Sequence, residues 1–172
     1  LGGNVTSRSL RVAGDALDHE ILPYVRNKYN LLIGERMAEE VKMRIGSAFS
    51  LPEEKTYTVR GRNLISGLPE TLELSSIEIR EAISGSINTI IETVKDTIDE
   101  VPPEIISDLM DIGICLSGGG SLIQGLAERV TEDVKIRAWV AEDPMTCVAR
   151  GAGLILEDFD NLKEWLTSVD EH

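Results

Sequence analysis

Three consecutive glycines, Gly118, Gly119 and Gly120, are the residues of this sequence best suited to chemistry. They lie in "ICLSGGGSLIQGLAERV", between a short apolar run and an amphipathic segment. Glycine carries no Cβ, so another molecule can lie directly on the peptide plane, and it accepts the positive φ of a tight strand-to-helix turn. N–H groups at the start of the following helix then face the opening, where partial positive charge favours an anion or the polar edge of a ring. The run is neither a Walker loop, which needs a following Lys and Ser or Thr, nor the spaced dinucleotide fingerprint. By itself it fits two readings, a ligand cradle or a tight turn that packs helix against strand.

Other chemistries have little raw material. His19 and His172 are the only histidines, too few for a histidine metal site or a Ser-His-Asp triad. Cys115 and Cys147 lack the paired spacing of a metal knuckle or redox motif and sit in apolar neighbourhoods. Both are expected to be small buried core residues.

The 172 residues hold 17 Lys plus Arg against 30 Asp plus Glu, a net charge of -13. That balance opposes a phosphate-tracking groove and removes nucleic acid from the expected partners. The apolar runs fall short of the roughly 20 residues of a membrane span, and the N-terminus lacks a charged-then-apolar signal, so a soluble cytoplasmic protein is expected. A hydrophobic content of 42% suffices for a real core.

The elements that must position the glycines follow from periodicity. "NVTSRSLRVAG" alternates around Val5, Ser7, Leu10 and Val12 and predicts a strand closing at Gly14. Leu17, Ile21, Tyr24 and Val25 then predict a helix over about 15–29, with Asp15 as N-cap and Pro23 as a possible bend. Met37, Val41 and Ile45 predict a second helix stopped by Gly46, its polar face carrying Glu35, Glu39 and Lys42. Tyr57 with Val59 and Leu72 with Leu74 alternate on either side of a Gly/Pro-rich connection, as a pair of strands does.

From Ser76 the pattern predicts one long helix to Pro102, opened by a serine cap with Glu78 close behind. "PPEIISDLMDIG" predicts a helix ending at Gly113. A strand over Ile112 to Leu116, the glycine turn and a helix from near Ser121 follow, and "KIRAWVAEDPMTCVARGAGLILEDF" repeats strand, turn and helix. Alternation of this kind implies an α/β core. Leu162, Trp165, Leu166 and Val169 predict a terminal amphipathic helix docked on that core.

Five segments, "SLRVAGDALDHEIL", "YNLLIGERMAEEVKMRIGSAF", "VRGRNLISGLP", "PPEIISDLMDIGICLSGGGSLIQGL" and "VAEDPMTCVARGAG", resemble the MreB/Mbl family of bacterial actin-like rod-shape proteins, in order and as far as about Leu156. The resemblance implies an α/β, actin-like ATPase domain. Its ribonuclease-H-like subdomain would span 1–14 and 76–172, with a smaller α+β subdomain inserted over 15–75. It also implies ATP with Mg2+ as ligand: Gly118, Gly119, Gly120, Ser121 and Leu122 would lie beneath the nucleoside and α-phosphate, while Glu39, Glu40, Val41 and Lys42 close on ribose and adenine. A carboxylate such as Glu39 can accept from ribose hydroxyls, and Lys42, one turn on, can cover the base or pair with the acid. Met37 and Ser117 depart from the threonines common in the family at those places.

By the same resemblance the intact protein is an ATPase that polymerises head to tail into filaments under the inner membrane and organises cell-wall synthesis with cell-elongation proteins. Its first domain, with the groups that position the attacking water, is expected to lie upstream of Leu1, so this chain is expected to be inactive alone. The loops around Phe49 to Pro52 and Gly61 to Pro69 are the expected filament surface. Alternatives are a kinase or other ATPase of the actin and heat-shock chaperone superfamily, or a non-nucleotide interaction module.

Overall fold

In a computed structural model the chain is described over residues 5–159; the terminal helix expected around Leu162 to Val169 lies outside the described residues. Helix α1, Gly14–Tyr29, buries Leu17, Ile21 and Val25 at steps of four, and Asn30 ends it in a left-handed conformation. Asp15 does not cap it. The N-cap is Ala13, and Asp15 sits inside the first turn, where its charge still complements the helix dipole. Pro23 is accommodated within the helix, on an exposed position.

Strand β1, Leu31–Leu32, leads into helix α2, Glu35–Ile45, which buries Ala38, Val41 and Ile45. Strands β2, Thr56–Asn63, and β3, Pro69–Ser75, form an antiparallel hairpin with Tyr57 opposite Leu74 and Val59 opposite Leu72. β1 adds to the other edge of β2, giving the order β1-β2-β3. At the hairpin tip Asn63 Oδ1 accepts from the N–H groups of Ile65 and Ser66. That turn leaves Leu64, Ile65 and Leu68 in solvent.

The single helix expected from Ser76 is two helices, α3 (Ser76–Ala82) and α4 (Ser84–Asp99). The break falls at Ile83, where Ser84 Oγ donates to the Glu81 carbonyl and the weak helix formers Ser84 and Gly85 follow. The expected cap is present as a full capping box between Ser75 and Glu78. Helix α5, Pro103–Ile112, opens on proline and ends at Gly113. Strand β4 is Ile114–Leu116, since Ile112 still belongs to α5. A 3-10 turn, Gly119–Leu122, precedes helix α6, Leu126–Val134. Strand β5, Ala138–Val140, runs parallel to β4, and helix α7, Cys147–Glu157, closes the described chain.

Two further expectations are corrected. Residues 5–13 form no strand; their polar side chains dock on the end of α4, with Thr6 Oγ1 2.9 Å from Glu100 and Arg8 2.9 Å from Asp96. Cys115 is exposed and Cys147 only half-buried. Alternation along β4 turns Ile114 and Leu116 to the core and Cys115 to the other face.

One continuous apolar cluster joins α1, α2 and the hairpin to α3, α4 and α6, from Leu17 to Val130. Beside β4 lies an apolar groove of about 780 Å³ between residues 5–14, α4 and α5, walled by Leu10, Ile90, Val94 and Ile105 and reaching Gly120 and Ser121.

Candidate functional site

The glycine turn is built by the parallel pair of strands beneath it. Gly118 takes φ 81, in the left-handed region that a side chain disfavours, and its N–H donates to the Pro144 carbonyl at 2.7 Å. Ser121 is buried and locks the turn, donating from N–H (3.2 Å) and from Oγ (2.7 Å) to the Gly118 carbonyl. The amides of Gly119 and Gly120, at the start of the 3-10 turn, find no acceptor among the described residues. A Cβ built at Gly118 or Gly120 would meet nothing within 4 Å, while at Gly119 it would lie 3.3 Å from Met145 Sδ. The turn thus offers two free donors and a bare peptide surface.

The helix expected near Ser121 starts five residues later, because Ile123 to Gly125 serve another purpose. Gln124 pairs with Ser47 in a parallel bridge, Ala48 N–H donates to the Gln124 carbonyl at 2.7 Å, and Lys55 Nζ lies 2.6 Å from Gln124 Oε1. Gly125, at φ 75, passes so close to Phe49 that a Cβ would sit 2.7 Å from the phenylalanine Cβ. These contacts fasten the C-terminal end of α2 to the segment after the glycines.

The four expected residues of α2 separate into four environments. Glu39 is exposed and has no side-chain partner among the described residues. Glu40 holds the pKa of the neighbouring Tyr57 phenol above its ordinary value. Val41 is 0% exposed and belongs to the core, so its side chain cannot reach a ligand. Lys42 Nζ lies 2.7 Å from Asp18 Oδ2 and 3.0 Å from the Gly14 carbonyl. Its partner is therefore Asp18 on α1, not Glu39.

Asp18 is a participant that sequence reasoning missed. The signal was present: a carboxylate next to Leu17, at the edge of the apolar stripe of α1, is out of place unless something pairs with it. Leu122, by contrast, is exposed at the end of the turn. Chemically, the arrangement binds more readily than it reacts. Free amides and an unpaired carboxylate can recognise an anion and hydroxyls, while the described residues hold no cluster of three or more His, Cys, Asp or Glu fit for a metal.

A family model for MreB/Mbl protein matches residues 1–164. The chain is 41% identical over 162 residues to the cell shape-determining protein Mbl of Bacillus subtilis, covering 94% of this chain and 49% of that protein. To the cell shape-determining protein MreB of Escherichia coli it is 44% identical over 160 residues, covering 93% and 46%. It therefore spans about half the length of the curated relatives it matches. Among solved structures, it superposes on MreB5 of Spiroplasma citri bound to ADP with a TM-score of 0.87 and 34% identity, over 92% of this chain and 49% of that one. The fold is actin-like.

Proposed function

This chain belongs to the MreB/Mbl family, and from that premise we propose that it is the C-terminal half of an actin-like cytoskeletal protein that binds an adenine nucleotide. The observation that carries the reading is the glycine turn. Its two amides, unpaired among the described residues, and its open peptide surface lie on a segment tied through Ser47 and Gln124 to the helix that bears Glu39. Backbone donors at such a turn suit a phosphate or the polar edge of a base, and a free carboxylate suits ribose hydroxyls.

On this reading Gly118, Gly119, Gly120 and Ser121 floor the nucleotide, Glu39 takes the ribose and Lys42 faces the base or the phosphates. Glu40 and Val41 serve the helix rather than the ligand. The ribonuclease-H-like part is 1–14 with 76–172, and the smaller part is 15–75. Magnesium would accompany the phosphates, but no metal ligand and no hydrolytic step is assigned to residues of this chain.

The proposed cellular role is that of a filament that maintains rod shape beside the membrane and the cell-wall machinery. Head-to-tail contacts are heterologous and generate open filaments, and the apolar hairpin tip at Leu64, Ile65 and Leu68 is the surface offered for them. None of the described helices is long and apolar enough to cross a membrane.

The test is thermal unfolding of the protein as the cell makes it, with and without millimolar Mg-ATP. A ligand that binds the folded state raises stability by RT ln(1 + [L]/Kd). The expected result is an upward shift that Gly120→Val and Glu39→Ala each reduce. No shift in the wild type would overturn the nucleotide reading in favour of an interaction module.

A further inference from the structure

Resting on the nucleotide reading above, we infer that Asp18 is a positioning residue of that site: it holds the Lys42 ammonium in a fixed seat and so keeps the Glu39 carboxylate free for the ligand. The seat is specific. Nζ lies 2.7 Å from Asp18 Oδ2 and 3.0 Å from the Gly14 carbonyl, with side-chain exposures of only 11% and 12% for the lysine and the acid. Two of the three ammonium protons are thereby directed and one is left over.

Gly14 shapes the same seat, since a Cβ there would stand 3.3 Å from Nζ. It also belongs to the wall that continues through Ser117, Gly120 and Ser121. The lysine is therefore anchored to a residue that lines the same groove as part of the glycine turn.

As a device for stability alone the pair is poorly made. Asp18 Oδ1 is buried without a hydrogen-bond partner among the described residues, and a buried ion pair with an unsatisfied oxygen recovers little of its desolvation cost. Its effect on α2 is clearer. Glu39 stands three residues before Lys42, at the spacing where acid and base meet across one helical turn. Without Asp18 the ammonium would swing to Glu39 and neutralise the carboxylate. With Asp18 in place, the Lys42 ammonium stays on α1 and Glu39 has no side-chain partner among the described residues, as observed.

The experiment is a double-mutant cycle on ATP affinity, measured with the protein as the cell makes it, using wild type, Asp18→Asn, Lys42→Met and the double variant. Asp18→Asn is expected to weaken ATP binding roughly tenfold in the wild-type background and by less than about twofold when Lys42 is already Met, because its action passes through the lysine. Asp18→Glu, which keeps the charge but displaces Nζ, serves where the amide variant fails to fold and is expected to weaken binding in the same direction. Equal losses with and without Lys42, or a folded Asp18 variant with unchanged affinity, would overturn the inference. Absence of ATP binding by the wild type would instead remove the nucleotide reading beneath it.

Discussion

Tyr29, the last residue of α1, donates its phenol to the carboxylate of Glu78, the residue that completes the capping box of α3. Burial by itself would raise the Glu78 pKa, but the Tyr29 phenol, the Ser75 amide and Lys28 at 2.9 Å together hold it down at about 2, against an ordinary 4.5. A carboxylate depressed in the folded state contributes stability that is complete above its unfolded pKa and lost as pH falls. Urea unfolding at stepped pH should therefore show stability declining from pH 4.5 towards about 2. Glu78→Gln should lower stability at neutral pH by about 1–2 kcal/mol and flatten that acid limb.

Arg80 links three segments. Its guanidinium is 2.8 Å from both Glu54 oxygens, and its Nε donates at 3.0 Å to Ser47 Oγ, which is fully buried. Arg80→Leu leaves that hydroxyl without its donor and takes the guanidinium from Glu54, which keeps the Ser76 hydroxyl, so unfolding free energy should fall by about 2 kcal/mol. The Ser47 and Gln124 bridge should loosen with it, seen as faster amide exchange at Ala48. Unchanged protection at Ala48 would count against the proposed tether.

Two glycine substitutions should separate folding from binding. Gly125→Ala forces a Cβ to 2.7 Å from Phe49 at φ 75 and should cost about 1–2 kcal/mol of stability. Gly120→Ala meets open space, so its melting temperature should stay close to wild type while ATP binding weakens. A stable Gly120→Ala protein with wild-type ATP affinity would contradict the placement of the ligand on the turn.

At the hairpin tip, Ile65 and Leu68 are 81% and 65% exposed. Ile65→Ser and Leu68→Ser remove little buried surface, so stability should change by less than about 0.5 kcal/mol. If the tip is a filament contact, light-scattering assembly should slow or its critical concentration rise several-fold. Unaltered assembly would assign the contact to another surface.

Periodicity made the helical faces legible, because Leu17, Ile21 and Val25, like Val41 and Ile45, recur at the helical step and are buried. The hairpin was legible from the alternation of Tyr57, Val59, Leu72 and Leu74. Two-residue β1 is too short to carry a period. The break at Ile83 hides inside an apolar pattern that a bend does not interrupt, and residues 5–13 alternate like a strand yet have no strand beside them among the described residues. In the site, the glycines announced themselves, whereas the α2 residues came from resemblance. Periodicity already turned Val41 inward, against the ligand contact that the resemblance implied for it, but neither source showed that Lys42 reaches 24 residues back to Asp18, because that pairing is decided by how α1 and α2 pack.

The shared apolar cluster has a consequence for how the chain comes apart. Leu17, Val41 and Leu74 from residues 15–75 and Ile79, Ile87 and Val130 from the residues after them belong to one contiguous core. The two stretches are thus joined thermodynamically. Melting them should give a single cooperative transition with matching calorimetric and van't Hoff enthalpies, and excising 15–75 should yield two fragments that each need the other to fold.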